Sequence, residues 1–249
     1  MQDIRQGNCF EILKSIPDKS IDLIITDPPY EIVNTNGGGR TTLQKSITSA
    51  LGELDDAEIS NGYDIIGFCE ECIRVMKSIN IYIWCNKKQI PKYFDFFVEI
   101  HKCKFDVIIW NKTNAPPTYS NKYLTDCEYC LYFHGGKGKC FPQNYEDAKS
   151  VYIAPINHQD KKKYGHPTIK PLELIRKLVR NSSQIGDTIL DPFAGSGTTN
   201  VACELEHRNS IGIEINPEFV NIIKRRLSEV SAASVVNYSE SKVNKRRLF

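Results

Sequence analysis

The chain has 249 residues, 41% of them hydrophobic and 25% charged, which suits one large α/β domain or two small ones and excludes collagen, coiled coil and wholesale disorder. No apolar run reaches the roughly 18 to 20 residues of a membrane helix, and MQDIRQGNCF lacks the basic-then-apolar pattern of a signal peptide, so a cytoplasmic location is expected. The formal net charge of +2 is too small to diagnose a nucleic-acid partner, and nine irregularly spaced cysteines suggest free thiols in a reducing compartment.

In chain order, apolar spacing predicts a helix over 9–16 and a strand over 21–26. A polar, Gly-rich stretch over 31–62 follows, too long for an ordinary connection and therefore a candidate target-side loop. Next come a helix over 65–76, a strand over 80–85, a helix over 87–100 and strands over 105–110 and 128–133. Residues 135–165 show no clear period and are a candidate recognition segment. The pattern then resumes with a helix over 171–181, a strand over 188–190, a helix over 198–206, a strand over 210–214 and a helix over 217–230. Residues 231–249 read as a weakly ordered basic tail.

Alternating strand and helix, with several strands apolar throughout, predicts a single catalytic domain over 1–230 built on a mostly parallel sheet with helices on both faces. Two CxxC pairs lie within this pattern. Cys69 and Cys72 fall on a helix, whereas Cys127 and Cys130 fall on a strand, where residues three apart point to opposite faces. We read both pairs as small buried hydrophobes and expect no metal.

The strongest local signal is Asp191-Pro-Phe-Ala-Gly-Ser-Gly-Thr-Thr, set between a short strand and a helix. Gly195 and Gly197 lack side chains where the strand turns sharply, as a nucleoside cradle requires. No Lys follows the second glycine, so this is not a phosphate-binding P-loop. Another strand ends at Glu214, 214 − 191 = 23 positions later, near the roughly 20-residue offset at which an acid reaches ribose hydroxyls in dinucleotide folds. A dinucleotide enzyme is thus one rival. Against it, Asp191 at the loop would repel a pyrophosphate and suits a cationic or amino-bearing ligand.

The second signal is Thr26-Asp27-Pro28-Pro29-Tyr30, directly after a strand. Paired prolines delete two amide donors and leave carbonyl acceptors beside the Asp27 carboxylate, an arrangement suited to an amino group. Tyr30 adds a flat face for stacking a base. The alternative for Asp-Pro-Pro alone is a rigid surface turn.

DPPY near the start and DPFAGSGTT near the end together resemble the amino-methylating DNA methyltransferases of the circularly permuted beta class, over residues 6–227. The resemblance implies a Rossmann-like, seven-stranded methyltransferase fold. Asp191, Phe193, Ala194, Gly195, Gly197 and Thr198 match its S-adenosylmethionine loop, and Glu214 matches the acid on the cofactor's ribose. His166-Pro-Thr-Ile-Lys170-Pro resembles an HPTQKP element at the cofactor's methionine end, although a Lys between prolines also suits a surface helix start. Asp27, Pro28, Pro29 and Tyr30 match the catalytic tetrapeptide, Asp27 also facing the cofactor. Asn8 stands where the family has an Asp against the adenine, and keeps an acceptor without the charge.

The resemblance implies transfer of a methyl group to an exocyclic amine of a base flipped from duplex DNA, with adenine N6 favoured by Asp27 over cytosine N4. Methylation of RNA or a protein, or a non-catalytic binding role, are the other readings. A homodimer is compatible with the short recognition segments.

Overall fold

The computed structural model describes residues 1–29, 63–117, 123–136, 140–166 and 168–246, with side chains as far as Ala232. The strands are β1 (Gln2–Gln6), β2 (Leu23–Thr26), β3 (Asn80–Cys85), β4 (Lys104–Lys112), β5 (Cys127–His134), β6 (Val151–Ala154), β7 (Thr188–Asp191) and β8 (Asn209–Glu214). They form one sheet in the order β1-β8-β7-β2-β3-β5-β4-β6. The helices are α1 (Cys9–Leu13), α2 (Ile65–Val75), α3 (Ile90–Phe94), α4 (Tyr145–Ala148), α5 (His158–Tyr164), α6 (Leu172–Ser182), α7 (Thr198–Leu205) and α8 (Pro217–Arg246). A π-helical turn, Asp95–Ile100, continues α3.

Successive residues of the central strands feed opposite faces of the sheet, as the strand period demands. Ile24, Ile81, Ile83 and Leu131 pack with Phe68, Cys69 and Cys72 of α2 and with Phe97. Leu23, Ile25, Tyr82, Trp84 and Cys130 pack on the other face with Leu174, Leu178 and Ala202 of α6 and α7. Helices therefore cover both faces. Burial pushes the thiol pKa of Cys72 and of Cys130 well up, so both remain neutral.

The structure adds three details to the mostly parallel sheet that the sequence predicts. Among the described residues the sheet has eight strands, against the seven that the resemblance implies: the six read from the sequence, with β1 and β6 added at the two edges. An edge strand is held by one backbone ladder and needs no apolar run, and neither QDIRQ nor VYIA carries one buried on both faces. Most of the sheet's pairings are parallel, as expected, while β5 runs antiparallel to both β3 and β4. Finally, α8 continues helical to Arg246, through most of the expected tail, whose sequence contains no Gly or Pro to stop it.

Residues 135–165 contribute α4, β6 and α5, elements too short to show a clear period. Among the described residues no helix is long and apolar enough to cross a membrane. The stretch 31–62 lies outside the described residues.

Candidate active site

From β7 the chain passes through α7 to β8 on one side; from β2 it passes through α2 to β3 on the other. The carboxyl ends of β7 and β2 are therefore a topological switch point, where open α/β sheets bind ligands. Asp191 ends β7, Thr26 ends β2 and Asp27 follows it, so the two motifs, far apart in sequence, meet at this crevice.

Glu214 ends β8 and is buried. Its carboxylate accepts from the amides of Gly195 at 2.8 Å and Asn216 at 2.8 Å, which ties the β7 loop to the β8 end. Burial raises its pKa, and these amide bonds oppose the rise. A carboxylate offers about four lone-pair sites, so two amides leave capacity for a pair of hydroxyls. The Gly7 amide donates to the Glu214 carbonyl at 3.0 Å, drawing β1 and the adjoining Asn8 to the same rim. Asn8 caps α1, accepting from the Phe10 amide at 2.9 Å.

Both loop glycines adopt left-handed backbone, with φ of +51° at Gly195 and +74° at Gly197. A Cβ on Gly195 would lie 3.2 Å from His166 Nε2, and one on Gly197 only 2.7 Å from Ile223 of α8. The turn is thus packed from both sides. Ala194 is buried with its amide on the Ile213 carbonyl at 2.9 Å, and Phe193 packs its ring against Tyr63 at 5.8 Å and Phe68 at 5.4 Å. Thr198 takes a hydrogen bond from Arg226 at 3.1 Å, and the same guanidinium donates to the Ser196 carbonyl at 2.7 Å.

Asp191 is buried and accepts from the Phe193 amide at 3.2 Å. Burial pushes its pKa up to about 7; the Thr199 hydroxyl and Phe193 amide oppose this, and the charge of Asp27 adds to it. His166 is buried against Phe219, ring centres 4.4 Å apart, and accepts from the Thr168 amide on Nδ1 at 3.2 Å. Burial, then the nearby Arg226 charge, lower its pKa to about 4, so the imidazole is neutral at physiological pH.

Lys170 reaches across the crevice from the segment before α6 and forms an ion pair with Asp27. The same ammonium lies 3.1 Å from Glu128 and 4.9 Å from the centre of the Trp84 ring. Lys170 is thus part of the rim rather than a surface cation. The Pro29 carbonyl accepts from the fully buried Gln89 at 3.1 Å, which fixes the proline pair from the turn before α3. Tyr30 lies outside the described residues.

Three residues at this rim escaped the sequence reading: Gln89, Arg226 and Glu128. The first two carry no local signal, being polar residues in ordinary helical contexts. Glu128 does, since a carboxylate in the otherwise apolar strand CEYCLYF needs a buried partner. It has one in Lys112, at 2.6 Å, and another in Lys170. Burial would raise its pKa, but Lys170 and Lys112 outweigh that and hold it below the ordinary carboxylate value.

A sheet of this topology, with a glycine loop and acid on one side of its switch point and an Asp-Pro-Pro strand end on the other, defines a nucleoside-dependent group-transfer enzyme. Residues 21–225 match the family model described as DNA methylase, and the chain belongs to that N6/N4 DNA methyltransferase family. It is 31% identical to the Type II methyltransferase M2.MboI of Moraxella bovis, over 98% of this chain and 93% of that protein. It is also 31% identical to the Type II methyltransferase M.HinfI of Haemophilus influenzae, over 92% of this chain and 69% of that protein. The crystal structure of the M1.HpyAVI complex with S-adenosylmethionine superposes with a TM-score of 0.66 at 26% identity, covering 91% of this chain and all of that one. The methyl donor is S-adenosylmethionine, and the Glu214 acceptors and packed Gly195 turn fit its nucleoside part.

Proposed function

We propose that this enzyme methylates adenine N6 in duplex DNA, as a member of the circularly permuted class and, like its Type II relatives, the modification half of a restriction-modification pair. The observation that carries methylation of an amine is the position of Asp27, one residue beyond β2 at the switch point, and the choice of adenine rests on the resemblance, in which cytosine enzymes more often have Ser there. The order of the motifs, with Asp-Pro-Pro before the cofactor loop, supports the permuted class.

The target amine is hidden in a duplex, so the base must leave the stack, and Tyr30 is the residue we assign to its face. An exocyclic amine is a poor nucleophile because its lone pair is delocalised into the ring. Asp27 and the Pro28 carbonyl accept its two hydrogens, which localises the lone pair and aims nitrogen at the donor. Gln89 holds the Pro29 carbonyl and keeps this strand end rigid. S-Adenosylmethionine supplies an electrophilic methyl on a positively charged sulfur. Glu214, Asn8 and the turn from Asp191 through Phe193, Ala194, Gly195 and Gly197 to Thr198 are assigned to its nucleoside, and neutral His166 and Lys170 to its methionine end.

Cytosine N4 presents the same chemistry, an amine beside a ring nitrogen, and Asp27 serves it equally in principle. Sequencing DNA from cells expressing the enzyme, with a readout of modified bases, separates the two. N6-methyladenine at a fixed site is expected. N4-methylcytosine would overturn the choice of base, and an absence of either modification would overturn the activity.

A further inference from the structure

We propose that Glu128 is a positioning residue for methyl transfer, the carboxylate that offsets the ammonium groups crowding Asp27; this rests on the methyltransferase reading of the site. Because β5 runs antiparallel to β3 and β4, its first residues lie at the rim where β2 and β3 end, and Glu128 stands opposite Trp110 in the β4 register. It is 2.6 Å from the Lys112 ammonium and 3.1 Å from that of Lys170, which is itself paired with Asp27. Lys161 of α5 lines the same pocket beside Trp110 and Ile156. Among the described residues the cluster therefore holds three ammonium groups, Lys112, Lys161 and Lys170, and two carboxylates, Asp27 and Glu128.

In transfer the amine's lone pair forms the new N–C bond, the S–C bonding pair stays on sulfur, and the extra proton on nitrogen leaves to water. Positive charge thus moves from sulfur towards Asp27. A carboxylate overshadowed by Lys170 would favour that movement little; with Glu128 taking part of the Lys170 charge, the Asp27 field survives. Without Glu128 the balance is three cations to one anion, which opposes both the cationic donor and the amine as its charge grows.

The test uses the full chain, Glu128→Gln and the double variant Glu128→Gln/Lys112→Met, which restores the wild-type charge balance. Two quantities are read: the ratio of dissociation constants for S-adenosylmethionine and its neutral thioether product by calorimetry, and single-turnover transfer to unmethylated genomic DNA. Glu128→Gln should shift the ratio against the cationic ligand by about threefold or more and slow transfer by roughly tenfold, and the double variant should recover most of both. A purely structural role would alter the two ligands alike and worsen when Lys112 is also removed; either result overturns the proposal. If Glu128→Gln does not fold, the charge-balanced double variant decides, since a folded protein with poor transfer and an altered ratio would refute it. A wild-type enzyme that transfers nothing would count against the activity, while the affinity ratio would still decide the role of Glu128.

Discussion

Lys170, in the segment before α6, is ion-paired with Asp27, which lies 143 positions earlier and just beyond β2. The pair joins the candidate cofactor segment to the candidate catalytic strand end. One carboxylate oxygen of Asp27 is held by this contact, on the ammonium that also lies beside Glu128 and Trp84.

Removal of the Asp27 carboxylate should damage the transfer step far more than binding, because its acceptor bonds strengthen as the amine gains positive charge. Asp27→Ala is expected to weaken S-adenosylmethionine binding only a few-fold by calorimetry, through the lost charge, and to lose about 10²-fold or more in single-turnover transfer. Transfer near the wild-type rate would refute the assigned role.

Glu214 carries two loads, the assigned cofactor hydroxyls and the amides of Gly195 and Asn216. Glu214→Ala should weaken S-adenosylmethionine binding by about 1.5 to 3 kcal/mol for each charge-assisted bond lost, less what water restores. Glu214→Gln, which keeps an acceptor for Gly195, should lose less. Equal losses in titration would mean that the charged contacts to the hydroxyls matter and the acceptor kept for Gly195 does not.

Gly197 and Gly165 have nearly the same backbone, with φ of +74° and +71°, yet a Cβ on Gly165 meets nothing within 4 Å. Gly165→Ala should cost only the left-handed strain, about 1 to 2 kcal/mol. Gly197→Ala adds overlap with Ile223 and should cost a further 1 to 3 kcal/mol or so. Urea denaturation compares them, and equal losses would show that α8 simply moves aside.

The pH dependence of stability contains two opposing contributions. Asp191, raised from 3.8 to about 7, stabilises the fold fully below the unfolded value, and this contribution is lost as pH rises to 7. His166, lowered from 6.5 to about 4, acts oppositely: its contribution is present above 6.5 and lost as pH falls to 4. Asp191→Asn removes only the first. Relative to wild type, that variant should gain stability steadily between pH 4 and 7, by up to about 4 kcal/mol. A difference independent of pH in denaturation titrations would show that Asp191 titrates normally.

The sequence by itself determined the elements that are buried on both sides and the motifs at their ends. The strand Asn80–Cys85 is apolar for most of its length because helices cover both its faces, and Asp191 and Asp27 stand out because each breaks such a run at a turn. Tertiary structure alone decided the rest. The edge strands β1 and β6 draw their stability from a neighbour's ladder and are too short to stand out by period. The antiparallel course of β5 is what carries Glu128 to Lys170, and the packing of α8 is what brings Arg226 to the Ser196 carbonyl. Such pairings depend on strand direction, register and helix placement, which arise from the chain packing as a whole and not from any window of residues.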